Sequence, residues 1–283
     1  MTYNTHGIIL KYRDIGEFDR IYSILTYDHG KIEGWAQGVR KPKSKLVSYL
    51  QPIYLCDFMF ARGRRFDRIA QVKVLNRFGE IWNNLGKIGE AAYAVSLVDL
   101  VLRPGTKEHA VFELVQQALT VISNNGNVAA TFRSPHGSLK AASTPFAQDN
   151  KAGGDGILTL FSLKLLKQSG FAPELYNCVV CKRPVQGLSK PFDAVRGGVL
   201  CDDCYMTSSE YAFPVSAITL ETLEMILTSP LAPIEMPEVI GKELTQIARA
   251  MITAHFGEEP KARYFIDAIE RKSPQSLYAE AAV

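Results

Sequence analysis

No stretch of about 18 consecutive apolar residues occurs in this 283-residue chain, so nothing in it reads as a membrane-spanning helix. The start, MTYNTHGIILKYRD, has no basic stretch ahead of its apolar residues and no small-residue cleavage site. A secretory signal is not expected, and the chain reads as cytoplasmic with no membrane partner. Enzyme signatures are missing too. There is no G-x-x-x-x-G-K-[ST] phosphate loop, no G-x-G-x-x-G, no H-E-x-x-H and no G-x-S-x-G. The five histidines (His6, His29, His109, His136 and His255) are scattered without ligand spacing. No catalytic residue is expected. The adjacent acids Asp202 and Asp203 are given no acid–base role.

Cysteine is scarce, five in all, but four fall in a pattern. Cys178-x2-Cys181 and Cys201-x2-Cys204 are two pairs with 19 residues between them. Each C-x2-C turn supplies two thiolates, and two such turns close a tetrahedron around one zinc ion. Four sulfurs leave no open coordination position, so the expected site is structural. Two disulfides or a redox C-x-x-C are the alternatives. Pro184, Pro191 and Gly197-Gly198 between the pairs suit a ribbon over about 175–210 rather than a long helix. Cys56, within PIYLCDFMF, reads as a buried inert thiol.

Charge is unevenly shared. Residues 1–80 hold 14 Lys+Arg against 8 Asp+Glu, a balance of +6, whereas the other 203 residues balance at −3. A basic unit joined to a mildly acidic one points to a polyanion partner for the first. Its basic residues concentrate in two places. Arg40, Lys41, Lys43 and Lys45 follow the third expected strand, and Arg62, Arg64 and Arg65 form a hairpin tip. Both are candidate phosphate-binding clusters. Tyr12, Phe18, Tyr22, Tyr27, Trp35, Tyr49 and Phe66 lie among them, as stacking platforms or as core.

Alternation and turn signals predict five strands in residues 1–80, at 5–12, 20–26, 31–39, 52–61 and 66–75. Five short strands suit an OB-fold barrel. Helical spacing then takes over, at 87–103, 108–123, 157–168, 216–228, 237–256 and 261–270. The segment 124–156, rich in Asn, Ser and Gly, reads as a flexible insertion. The expected class is therefore α+β. An N-terminal OB-fold spans 1–80, and a helical domain over 81–283 carries an inserted four-cysteine zinc ribbon.

Several motifs resemble a known family. Arg13-Asp14-Ile15-Gly16-Glu17-Phe18-Asp19-Arg20, Leu25-Thr26, His29-Gly30-Lys31 and Gly38-Val39-Arg40-Lys41-Pro42-Lys43-Ser44 are similar to the N-terminal domain of RecO, the bacterial recombination mediators. Leu165–Pro173 running into Cys178, and Phe192-x4-Gly197-Gly198-x2-Cys201, resemble its C-terminal part. The resemblance covers roughly residues 1–80 and 157–270. It implies a non-enzymatic protein of recombinational DNA repair, bacterial and associated with the nucleoid. Such a protein binds single- and double-stranded DNA and anneals complementary strands. With RecR and single-strand DNA-binding protein it helps load recombinase. An acidic, apolar tail of the latter would need an apolar pocket with a cation, for which Lys164 and Lys167 are candidates. A metal-dependent nuclease and an RNA-binding protein of translation are the competing readings.

Overall fold

The structure, a computed structural model, describes residues 1–105, 107–124, 155–208 and 211–271. The segment expected at 124–156 thus lies outside the described residues, except for Asn124 and for Asp155 and Gly156, which open a helix. Five strands, β1 (Thr2–Ile15), β2 (Asp19–Thr26), β3 (Gly30–Ala36), β4 (Leu55–Ala61) and β5 (Asp67–Asn76), close a barrel in the order β1-β2-β3-β5-β4. All neighbours are antiparallel except β3 and β5, which pair in parallel through Gly34–Asp67 and Trp35–Arg68. The OB-like expectation holds. β1 is longer at both ends than the 5–12 read from the sequence because it serves two partners. Thr2–Ile8 pairs with β4 and Gly7–Ile15 with β2, with a register shift between Ile9 and Lys11.

The barrel interior is filled by Ile9, Tyr22, Ile24, Phe58, Phe60 and Ile69. Two glycines make room for them. A Cβ on Gly7 would lie 2.7 Å from Ile24 Cγ2, and one on Gly34 would lie 3.0 Å from the Phe60 ring. Cys56 is fully buried here, and burial pushes its thiol up to about 12, as an inert core cysteine requires.

Seven helices follow among the described residues: α1 (Leu85–Val101), α2 (His109–Ser123), α3 (Asp155–Gln168), α4 (Asp202–Ser208), α5 (Ala217–Thr228), α6 (Glu238–Phe256) and α7 (Ala262–Arg271). Asn84 and Ser216 cap α1 and α5 by accepting from the backbone N–H of Lys87 and Thr219. A second sheet, ordered β7-β6-β8, comprises β6 (Ser189–Asp193), β7 (Gly198–Val199) and β8 (Ala212–Ser216). The chain forms two compact units, Met1–Lys151 with Pro260–Val283, and Ala152–Glu259. The barrel, α1, α2 and α7 belong to the first; α3, the small sheet, α4, α5 and α6 belong to the second.

Within the first unit, α1 is tied to the barrel by one carboxylate. Asp99 receives Lys11 Nζ at 2.5 Å, Ser23 Oγ at 2.6 Å and Lys31 Nζ at 3.5 Å, and Lys31 also donates to the Asp99 carbonyl at 2.6 Å. Burial works against the ionised form, but the bonds from Lys11 and Ser23 and the charges of Lys31 and Lys11 outweigh it. The carboxyl stays below its ordinary pKa. Asp99→Asn is expected to cost about 3 kcal/mol at neutral pH, the low end for a buried pair, because Lys31 is left without its counter-ion while Lys11 is solvated. With the folded pKa depressed, this stabilisation is present above the unfolded value near 4 and fades as pH falls through the folded one. Urea unfolding of wild type and Asp99→Asn should therefore differ at pH 7 and converge in acid.

Candidate metal centre and nucleic-acid surface

The first cysteine knuckle is shaped by backbone. Cys178 N–H donates to the Arg183 carbonyl (2.8 Å) and Lys182 N–H to the Cys178 carbonyl (2.9 Å), with Lys182 in the left-handed region at φ 62°. Glu174 braces its approach, its carboxylate accepting the N–H groups of Asn177 and Tyr176 at 3.0 Å. The second knuckle lies between β7 and α4, with Cys204 in the first turn of that helix. The two are stitched together by Val179 N–H to the Val199 carbonyl (3.0 Å) and Val199 N–H to the Glu174 carbonyl (3.0 Å). Gly198 allows this approach, since a Cβ there would lie 2.5 Å from the Glu174 carbonyl oxygen and 2.7 Å from Val179. The ribbon expectation holds, with one difference. A short helix, α4, carries Cys204 of the second pair, and β8 returns to pair with β6, an association set by tertiary contact rather than local pattern.

The four sulfurs of Cys178, Cys181, Cys201 and Cys204 all lie within 4.8 Å of one another, with Cys181 and Cys201 at 3.6 Å. A tetrahedral ion with metal–sulfur bonds of about 2.3 Å spaces its ligands by about 3.8 Å, so this cluster can hold one metal ion with little movement. Arg183 leans over it. Its Nε donates to Cys181 Sγ at 3.4 Å, and one Nη reaches Cys201 Sγ at 3.9 Å and Asp203 at 2.8 Å. That donation, followed by the Arg183 backbone N–H, lowers the Cys181 thiol to about 6. Burial acts to raise Cys178, but the N–H groups of Cys181, Cys201 and Val180 outweigh it and bring it down. Cys204 goes the other way, to about 12, through its bond to Cys201 and then burial. Backbone N–H groups and Arg183 thus favour thiolates at Cys178 and Cys181, and the guanidinium at the edge offsets part of their charge. Asp203 is thus spoken for by Arg183.

Both basic clusters border β1 and β2, the first through Asp14 and Phe18 and the second through the Phe66 ring beside Arg13. Asp19 organises one side, accepting from Gly38 N–H at 2.7 Å and from Trp35 Nε1 at 3.1 Å. Arg40 N–H donates to the Phe18 carbonyl at 2.9 Å, its guanidinium lies 3.3 Å from Asp14, and Lys41 Nζ sits 5.7 Å from the centre of the Phe18 ring. Lys43 and Lys45 are exposed on the same loop. On the other side Asp67 shapes the β4–β5 tip, accepting from Gly63 N–H at 3.0 Å and from Tyr3 Oη at 2.5 Å. Arg62 lies over Tyr3 at 5.3 Å and Arg65 over Phe66 at 5.2 Å, and Arg64 is exposed. Arg13, from the hairpin itself, approaches the same Phe66 ring at 5.8 Å. It is a further cation of this surface outside the sequence-based set, because its meeting with Phe66 depends on barrel closure. Phe18 is 44% exposed at the hairpin tip, whereas Tyr22 is fully buried, so the aromatics divide between surface and core.

Comparison with known proteins bears on this arrangement. Residues 1–78 match the family model for the recombination protein O N terminal region, and residues 147–264 that for its C terminal region. A DNA repair protein RecO from Rubrobacter xylanophilus is 30% identical over 253 residues, covering 89% of this chain and 92% of that protein. The chain belongs to the RecO family. Proteins of the same name from Desulforamulus reducens (28% identical over 274 residues, 96% of each chain) and Dehalococcoides mccartyi (29% over 270 residues, 94% of this chain and 96% of that one) are similar over nearly the same length. The N-terminal match holds both basic clusters of this RecO-family chain, and the C-terminal match holds all four cysteines. No helix among the described residues is long and apolar enough to cross a membrane.

Two expected site residues are corrected. Lys164 is buried and donates to the carbonyls of Ile226 and Ser229, and Lys167 donates to the Leu227 carbonyl at 2.8 Å. Both ammonium groups are turned to the orphan carbonyls at the end of α5, the buried Lys164 wholly and the exposed Lys167 through one bond.

Proposed function

We propose that this RecO-family chain is a non-enzymatic, DNA-binding mediator of recombinational repair, acting in the bacterial cytoplasm at the nucleoid. It binds single- and double-stranded DNA, anneals complementary strands and helps load recombinase onto strands coated by single-strand DNA-binding protein. The observation that carries this reading is a pair of exposed basic loops on the barrel: Arg40, Lys41, Lys43 and Lys45 on a loop packed against Asp14 and Phe18, and Arg62, Arg64 and Arg65 at the β4–β5 tip, where Arg65 shares the Phe66 ring with Arg13. Two complementary strands repel through their phosphates, and a basic surface that takes hold of both lowers the repulsion without reading bases. We assign this surface to the domain 1–80, and partner contacts, with RecR and with the acidic tail of single-strand DNA-binding protein, to residues 81–283. The bound metal is zinc, one ion on Cys178, Cys181, Cys201 and Cys204, because an all-thiolate tetrahedron suits it and leaves it structural.

Annealing of complementary oligonucleotides with and without nucleoside triphosphate tests the reading. Acceleration independent of triphosphate is expected. Cleavage of the strands in the presence of Mg²⁺ would instead make the protein a nuclease, and a marked preference for RNA over DNA would place it in translation.

For the acidic tail, the described residues offer a groove of about 750 Å³ lined by Val195, Tyr211, Phe213, Lys242, Gln246 and Arg249. Its walls are apolar, and its two cations, Lys242 beside Glu238 at 2.7 Å and Arg249 beside Glu259 at 2.9 Å, would exchange these acids for those of the peptide. A fluorescent tail peptide should bind saturably, and Lys242→Glu, an exposed position, should weaken it several-fold.

A further inference from the structure

We infer that the barrel carries a second single-strand track, separate from the hairpin surface, along the open edge of β5 between Tyr49 and Trp82. The inference rests on the DNA-binding reading and adds to it. β5 meets β3 only at Asp67 and Arg68, and its whole length is otherwise paired on one side alone, with β4. From Ala70 to Leu75 its other edge has no backbone partner among the described residues. A groove of about 610 Å³ runs along this edge, lined by Tyr49, Gln71, Lys73, Leu75 and Arg77.

The chemistry of the groove is that of a nucleic-acid strand holder. Lys73 and Arg77 are exposed, and neither belongs to an ion pair among the described residues. Asp57, which stands opposite Lys73 on β4, lies 3.9 Å from His6. The two cations are four positions apart on a nearly extended chain, so roughly 13 Å separates their backbone positions. Aromatic rings border the groove. Tyr49 lines the groove, and Trp82 is fixed beside Arg77 by its indole N–H, which donates to the Arg77 carbonyl at 3.0 Å. Tyr54 joins them, 5.9 Å from Trp82 and 6.0 Å from the Arg77 guanidinium. Tyr49 and Trp82 remain 39% and 40% exposed, which leaves ring surface for bases. Cations, stacking rings and unpaired strand N–H groups are the three things a single strand uses when its sequence is not read.

A blander account makes Lys73 an edge guard, whose charge prevents another strand from adding to β5. Reversing its sign separates the two accounts, because glutamate guards an edge as well as lysine does but repels phosphate. An extended peptide added to the edge is the other occupant this groove could take, and it too would leave oligonucleotide binding indifferent to the reversal.

The chain has two tryptophans, so Trp35→Phe leaves Trp82 as a reporter. In that background, a short oligothymidylate should quench Trp82 saturably. The quench should persist when Arg62, Arg64 and Arg65 are all alanine. It should be lost with Lys73→Glu/Arg77→Glu, together with at least tenfold in annealing rate and about 1.4 in the single-strand salt slope. Lys73→Gln/Arg77→Gln, checked by thermal melting, guards against a folding defect and should give the same direction. Unchanged quench, slope and annealing in both pairs, with wild type binding well, would overturn the track while leaving the hairpin surface intact. Failure of the wild-type protein to bind any oligonucleotide would overturn the DNA reading and the track with it.

Discussion

Cys201→Ser is expected to abolish stoichiometric metal binding and to unfold the ribbon that fills one end of the second compact unit. The effect should be large because the ribbon has little else. Its strands are short, β7 being only Gly198–Val199, and its knuckles meet through a few backbone bonds centred on Glu174 and Val199. Structural zinc in isolated fingers contributes an apparent ~10–16 kcal/mol at neutral pH, more than the net stability of most domains. Serine leaves three thiolates and a poor oxygen donor, and Arg183 then faces a site with less negative charge than it is placed to offset. Elemental analysis of reduced wild-type protein should give one zinc per chain. Thermal unfolding of the variant should show loss of the ribbon's transition, while the barrel, with its own core around Phe58 and Phe60, melts as before. Wild-type protein free of metal after preparation under reducing conditions would remove the basis of this expectation.

Replacing Arg62, Arg64 and Arg65 together by alanine is expected to weaken DNA binding on the order of 30-fold at low salt. All three are exposed at the β4–β5 tip, and none makes an ion pair with an acid among the described residues. The loop itself is held by Asp67, Gly63 and Tyr3, so its shape should survive. Each phosphate contact contributes about −0.7 to the log–log salt slope for single strands and about −0.9 for duplex. Loss of three should flatten the slope by about 2 for single strands and nearly 3 for duplex. All sequences should weaken alike, because phosphate contacts carry no base information. Fluorescence anisotropy across a salt series measures both quantities. Were these arginines only solubilising, affinity, slope and annealing rate would stay where they are.

Much of this was legible in the residues because local rules decide it. The C-x2-C spacing led to four sulfurs within 4.8 Å, and the helical spacing read at 216–228 is the helix Ala217–Thr228. Strand positions follow from alternation, and the β4–β5 tip from Arg62-Gly63-Arg64-Arg65. Features that depend on distant parts of the chain were not legible. Lys164 lies on the helical run Leu158–Leu166 and looks like a free cation, yet it turns inward because α5, sixty residues away, presents bare carbonyls there. Arg13 joins the basic surface only because barrel closure brings it to Phe66. β8 carries no strand signal of its own and forms where β6 pairs with it along five residues. The alternation that marks β5 as a strand is silent about its bare edge.

The make-up of the first compact unit has a consequence for how the protein is born. α1 presents Gly89 to α7, where an added Cβ would meet Phe265 and Ile266 at 3.1 Å, so the two helices pack with almost no space between them. Yet α7 leaves the ribosome long after α1, since the two are separated by more than 150 residues of chain. At about 5–20 residues per second, roughly 10–35 s separate the emergence of Gly89 from that of Phe265. Late in that interval, once Cys204 has emerged, the cysteine cluster can already take up a metal ion, while the barrel and α1 still wait for α7. A premature stop codon anywhere between them would therefore deprive the barrel's unit of α7.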